Sequence, residues 1–172
     1  MNMNELADCL VKELREHELK IVFAESCTGG MAASVLTDIP GVSDCFCGSA
    51  VTYLDSVKIR WLQVKQQSID QFTAVSRPVA IEMARGVLGD TPEADVAVSI
   101  TGHLGPKAPC ELDGKVFLGL ARRDTSEVIT SCVHLQRIER QERKHEATGQ
   151  LFLFSLNGLF PGYPSPFPGA IQ

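Results

Sequence analysis

Apolar residues along the start of the chain fall on one side of a helix: Leu6, Cys9, Leu10, Val11 and Leu14, with charged positions between them. Residues 4–18 are therefore expected as an amphipathic helix. The pattern then changes to a short unbroken apolar run, LKIVFA (19–24), which reads as a strand buried on both faces. MAASVLTDI (31–39) returns to a period near 3.6, and Pro40-Gly41 ends that helix. Residues 45–53 read as a second strand, and short helices are expected over about 55–62 and 66–72. Ser76-Arg77-Pro78 has the form of a helix start, with Ser76 as candidate N-cap and Pro78 just inside, for a helix running to about Leu88. ADVAVSI (94–100) is a third buried strand, stopped by Thr101-Gly102. A Pro/Gly-rich loop fills 102–114. Residues 115–122 and 127–135 read as paired strands around Asp124-Thr125, and 138–156, charged first and apolar later, as a closing helix. Strands alternate with helices for a hundred residues and end in an antiparallel pair. That order predicts an α/β fold, a three-layer α/β/α sandwich with a mixed sheet.

Composition narrows the function classes. The 172 residues suit one domain with a sizeable core. With 44% hydrophobic and 22% charged residues, the chain does not have the composition of a disordered one. No apolar run approaches the roughly 18 residues of a membrane span. The charged N-terminus lacks the apolar core of a signal peptide, so a cytoplasmic location is expected. A net charge of −5 argues against binding nucleic acid by bulk electrostatics. The six cysteines, in a chain without an export signal, are expected as reduced thiols. Cys45 and Cys47, if both lie in a strand, share a face. The four histidines are scattered, so no metal site is expected. Four of the nine prolines lie between Pro161 and Pro168. The chain is accordingly divided into a domain, 1–156, and a Pro/aromatic-rich tail, 157–172, whose Phe160, Tyr163 and Phe167 are expected to pack on the body or on a neighbouring subunit.

The segment richest in candidate chemistry is VFAESCTGG (22–30), where a buried strand runs through small polar residues straight into a helix. Ligands in open α/β sheets bind beyond the carboxyl ends of strands, where N–H groups at a helix start are unpaired. Three readings stay open on local pattern: Ser26 or Thr28 caps the helix, the backbone cradles a phosphate, or Ser26 is a nucleophile. The spacing is not that of a Walker A loop, and the lysine is missing.

Five segments in order, AESCTGG (24–30), TDIPGVSDCF (37–46), AVTYLDSVK (50–58), TAVSRPVAIEMARG (73–86) and ADVAVSITGHLGP (94–106), resemble the C-terminal domain family of the CinA competence-damage proteins. The resemblance covers roughly residues 5–155. It implies a serine amidohydrolase of pyridine-nucleotide salvage. Such an enzyme cleaves the carboxamide of nicotinamide mononucleotide, releasing ammonia and leaving nicotinate mononucleotide, with no metal and no cofactor. The resemblance carries over Ser26 as nucleophile and matches Tyr53 and Lys58 to the family's tyrosine and lysine. No histidine sits where a Ser-His-Asp triad needs one, whereas a lysine in the first turn of a helix can serve as base if its pKa is depressed. On this reading Tyr53 relays or holds the proton, and the N–H groups of Cys27 and Thr28 bind the oxyanion. Gly29, Gly30, Thr101 and Gly102 contact substrate, and Arg140 binds its phosphate. Ser43 and Thr52 are further polar candidates. The alternatives are a solvated helix lysine for Lys58, a core ring for Tyr53, a strand cap for Thr101 and a solvated helix face for Arg140. The expected partner is a small nucleotide, with no nucleic acid and no membrane, and the resemblance points to a homo-oligomer.

The chain also departs from the family pattern. Leu54-Asp55-Ser56-Val57 stands where Ser-Asn-Glu-Ala is usual, the glycine run after Thr101-Gly102 is replaced by residues 103–115, and Gln136-Arg137-Ile138-Glu139-Arg140 replaces an F-x-G-D-R segment. Those changes give the competing reading: a paralogue that binds a nucleotide or a partner with little or no turnover.

Overall fold

The computed structural model describes residues 1–106 and 108–161. Helix α1 (Met3–Glu16) leads into strand β1 (Ile21–Glu25) and helix α2 (Met31–Thr37). A 3-10 turn (Val42–Asp44) precedes β2 (Phe46–Val51), followed by α3 (Asp55–Leu62), α4 (Gln66–Phe72) and α5 (Arg77–Gly89). Strands β3 (Val96–Gly102), β4 (Lys115–Arg122) and β5 (Val128–His134) lead to the long closing helix α6 (Arg140–Leu159). The sheet order is β2-β1-β3-β4-β5. β1 runs parallel to both β2 and β3, while β3-β4 and β4-β5 are antiparallel. This is the mixed sheet expected from the alternation of elements.

Side-chain alternation along β1 explains the two layers of helices. Phe23 points into the core shared with α1, α2 and α6, where its ring lies 5.3 Å from that of Phe46 and 6.3 Å from that of Phe152. Val22 and Ala24 point the other way, against Val79, Met83 and Ala84 of α5 and Leu62 of α3. Each large side chain so buried contributes about 1.5–3 kcal/mol.

Four local expectations change. The Thr101-Gly102 stop lies inside β3, because these residues pair with Phe117 and Val116 of β4. Ser76 does not cap α5 with its side chain; its hydroxyl donates to the Thr73 carbonyl (2.9 Å) instead. Cys45 and Cys47 do not share a face: Cys45 precedes the strand and is buried, Cys47 is exposed, and the register between β1 and β2 jumps at this point. An extra residue in one strand breaks the alternation on which the shared face depended. Helix α6 continues through Leu159, three residues beyond the end expected for the closing helix, and the ring of Phe160 lies 4.7 Å from that of His17. Tyr163, Phe167 and the rest of the tail from residue 162 lie outside the described residues.

Candidate active site

The parallel strands β1, β2 and β3 end on the same edge of the sheet, and the first turn of α6 reaches that edge. A cleft of about 390 Å³ opens there. Ser26 and Cys27 after β1, Tyr53, Asp55 and Lys58 after β2, Thr101 and Gly102 at the end of β3, and Arg140 all line it. It is the crevice at the carboxyl ends of strands that the topology favours for a ligand.

The turn between β1 and α2 is organised by Glu25, which is fully buried. Its Oε2 accepts hydrogen bonds from Thr28 Oγ1 (2.7 Å), Gly30 N (3.0 Å) and Ala32 N (3.1 Å). Its Oε1 accepts from Ala33 N (3.0 Å) and Ser49 Oγ (2.9 Å). A carboxylate thus fills the amino end of α2, where unpaired N–H groups and the helix dipole both favour negative charge. Neither Ser26 nor Thr28 caps the helix, and these amides are not free to cradle a phosphate. Gly30 sits at the N-cap with φ +91°, a conformation that a residue with a Cβ rarely adopts. Thr28, Gly29 and Gly30 build the turn and do not line the cleft.

With α2 closed off, Ser26 and Cys27 are left at the cleft floor. The Ser26 amide is fixed to the Ile100 carbonyl (3.0 Å). The N–H groups of Cys27 and Thr28 donate to no carbonyl among the described residues and lie against the Cys27 sulfur. Burial pushes the Cys27 thiol up to about 12, so it stays protonated at neutral pH and is no thiolate nucleophile.

Lys58 is only 2% exposed, which excludes the solvated-lysine reading. Its Nζ donates to the Tyr53 carbonyl (3.3 Å) and lies 3.7 Å from Asp55 Oδ1. Burial lowers its pKa, and the Asp55 carboxylate opposes that shift. Desolvation disfavours the ammonium and moves the group toward a neutral amine able to take a proton. Tyr53 is no core ring: it is 56% exposed at the rim. Its hydroxyl accepts from Arg140 Nη2 (2.8 Å), and Arg140 Nη1 donates to the Gly105 carbonyl. Arg140 therefore bridges two rims of the cleft. Thr101 is fully buried, and its hydroxyl donates to the Ala74 carbonyl (2.9 Å), tying the 73–75 turn to the end of β3. Gly102 lies so close to β4 that a Cβ there would stand 2.4 Å from Val116 Cγ1. Thr52 is fully buried, its hydroxyl without a hydrogen-bond partner among the described residues, and Ser43 is exposed on the 3-10 turn before β2, at the opposite edge of the sheet.

Three features escaped the reading of the sequence. Glu25 was visible as an acid ending an apolar strand, but its five donors come from residues 28 to 49 and meet only in the fold. Asp55 lies three residues before Lys58, a spacing that shares a helix face and could have been noticed. The 73–75 turn and His103 also line the cleft without any local signal. Among the described residues, no group of three or more His, Cys, Asp or Glu is placed to hold a metal ion.

Known proteins share this fold and sequence. The competence/damage inducible protein CihA from Agrobacterium tumefaciens superposes with a TM-score of 0.84 at 32% identity, covering 91% of this chain and 96% of that one. A CinA superfamily protein from Escherichia coli gives 0.84 at 29% identity, covering 92% and 90%. A CinA-like protein of Chlorobaculum tepidum is 45% identical over 120 residues, 69% of this chain and 28% of the relative. A putative competence-damage inducible protein of Halalkalibacterium halodurans is 41% identical over 144 residues, 82% of this chain and 33% of the relative. This chain thus spans about a third or less of the length of these two relatives. The CinA C-terminal domain family matches residues 3–156, and the chain belongs to that family.

Proposed function

We propose that this domain is a nicotinamide-nucleotide amidohydrolase that converts nicotinamide mononucleotide and water to nicotinate mononucleotide and ammonia. The observation that carries the reading is the pair formed by Ser26 and the buried, pKa-depressed Lys58, which line one cleft beyond the ends of two adjacent parallel strands. Neutral Lys58 takes the Ser26 proton as Oγ bonds to the carboxamide carbon and the carbonyl electron pair moves onto oxygen. The N–H group of Cys27, at the cleft floor, is the donor available to that oxyanion. Collapse re-forms the carbonyl and breaks the C–N bond, and Lys58 passes its proton to the leaving nitrogen, which departs as ammonia. Water then attacks the ester carbon, gives a proton to Lys58, and releases the acid as Ser26 recovers that proton.

Tyr53 contributes at the rim through its bond to Arg140, not by contact between its hydroxyl and Lys58. The amino end of α2 is filled by Glu25, so the substrate phosphate is assigned to the Arg140 side, where the guanidinium exchanges one of its two present partners for the anion. A nucleotide-binding domain without turnover is the competing reading; it is favoured by the same Arg140 bridge, which joins Tyr53 to Gly105 across the cleft. The proposed enzyme is cytoplasmic and homo-oligomeric, and no described helix is long and apolar enough to cross a membrane.

Ammonia release from nicotinamide mononucleotide by the purified chain tests this. Wild type is expected to release ammonia and nicotinate mononucleotide in equal amounts, with Ser26→Ala slower by at least about 10³-fold. Release no faster than that of the folded Ser26→Ala protein overturns the reading. Calorimetric binding of the nucleotide without turnover would support the competing one.

A further inference from the structure

We infer that Arg143 is a positioning residue for the cleft: through Asp113 it holds the connection between β3 and β4 as a cleft wall and so sets how tightly the nucleotide is bound. Arg143 does not line the cleft, and it acts through residues that do. It lies in the first turn of α6, and its side chain is 11% exposed. Its Nη1 donates to Asp113 Oδ1 (2.7 Å), Nη2 to Asp113 Oδ2 (2.9 Å) and Nε to the Arg137 carbonyl (2.8 Å). The pair is a two-pronged guanidinium–carboxylate contact, the strongest and most directional kind of ion pair. The guanidinium holds the Asp113 carboxyl below the ordinary carboxylate range, so both partners are charged at neutral pH.

The connection folds around this guanidinium from both ends. A Cβ built on Gly105 would stand 3.0 Å from Arg143 Nη1 and 3.2 Å from Asp113 Oδ1, and one on Gly114 would stand 3.4 Å from Arg143 Nη2. Gly105, Pro106 and Ala108 in turn line the cleft. The base of the connection is fixed by ordinary backbone bonds, His103 N to the Lys115 carbonyl and Gly114 N to the His103 carbonyl, both 3.0 Å. Beyond that base, Arg143 packs against Gly105 while Arg140 binds the Gly105 carbonyl. Two arginines in one turn of α6 thus fix one wall, Arg140 within the cleft and Arg143 behind it. Without Arg143, the carbonyl that meets Arg140 loses its backing, whereas Ser26, just after β1, and Lys58, on α3, keep theirs.

The kinetic arm rests on the amidohydrolase reading; hydrogen exchange does not. The experiment uses the full chain with Arg143→Met, Asp113→Asn and Arg143→Lys. It reads amide exchange over 102–106, KM and kcat for nicotinamide mononucleotide, and the affinity for nicotinate mononucleotide by calorimetry. In Arg143→Met and Asp113→Asn, exchange over 102–106 and KM are each expected to rise about tenfold, with kcat within about threefold. Arg143→Lys keeps the charge but not the fork, and is expected to fall between them and wild type. Unchanged exchange over 102–106 overturns the inference, as does faster exchange with unchanged KM. A loss of protection spread over the whole sheet with kcat falling alongside would mean a merely structural role, and also overturns it. If wild type does not turn the nucleotide over, the amidohydrolase reading fails while exchange and calorimetry still decide: weaker nicotinate mononucleotide binding with a loosened 102–106 sustains the inference. If that ligand does not bind either, the clause on nucleotide affinity is overturned.

Discussion

Two strand-to-helix turns meet at the cleft, and they are held in opposite ways. Between β1 and α2, Glu25 is fully buried and accepts five hydrogen bonds, so the turn that presents Ser26 is saturated. Between β2 and α3, Tyr53 and Leu54 are more than half exposed and the Thr52 hydroxyl has no partner among the described residues. Lys58 there is held by one 3.3 Å bond and a 3.7 Å ion pair. A buried carboxylate is tolerable only when its lone pairs are satisfied, which fixes the geometry around it. A buried amine with few partners is the state whose proton is easily lost. One turn fixes where Ser26, the proposed nucleophile, stands, and the other leaves Lys58 free to change charge.

The comparison breaks most visibly at Lys58. Lys58→Met is expected to slow ammonia release on the order of 10³-fold, measured as kcat/KM, without unfolding the domain. The same variant has a stability signature. The folded pKa of Lys58 lies below its unfolded value, so between the two the unfolded chain binds more protons and stability rises with pH. Urea midpoints taken across that window should rise less in Lys58→Met than in wild type. The saturated turn gives the next largest effect. Glu25→Gln replaces an acceptor-only carboxylate with an amide that has one acceptor oxygen, and is expected to cost about 3 kcal/mol in chemical denaturation. An equal loss from Asp55→Asn would erase the contrast between the turns.

Asp55→Asn is instead expected to leave stability within about 0.5 kcal/mol, since the carboxylate is exposed. Its effect belongs in the pH–rate profile. The Asp55 charge raises the Lys58 pKa, so removing it lowers that pKa and moves the rising limb of kcat/KM toward acid. A shift toward alkaline pH would refute the assignment of Lys58 as base. The smallest effect is expected from Thr52→Val, which replaces an unpartnered hydroxyl with a methyl group. Thermal melting should be unchanged or stabilised by up to about 1 kcal/mol.

The fold was largely legible because its signals are local. Apolar period and breakers placed α3, α4 and β4 to the residue, and the other elements to within a few residues. The misjudged details were those set by a neighbour: β3 extends through Gly102 because β4 pairs with it, and Cys45 and Cys47 part company because of a register jump against β1. At the cleft, Ser26, Lys58, Tyr53, Thr101, Gly102 and Arg140 were named from motifs and do line it together, whereas Thr28, Gly29 and Gly30 support the turn behind it.

What the sequence determined by itself is the order and type of the elements, the family, and which residue types stand at strand ends. Burial and partner choice were decided only in the tertiary structure. Glu25 became a helix cap and Lys58 a buried amine because separate segments close over them. The environment that sets a group's charge and hydrogen bonds is assembled from residues far apart in the chain, here 25, 49, 53, 113, 140 and 143. No local pattern carries that sum, and it is the sum that separates a solvated lysine from a candidate base.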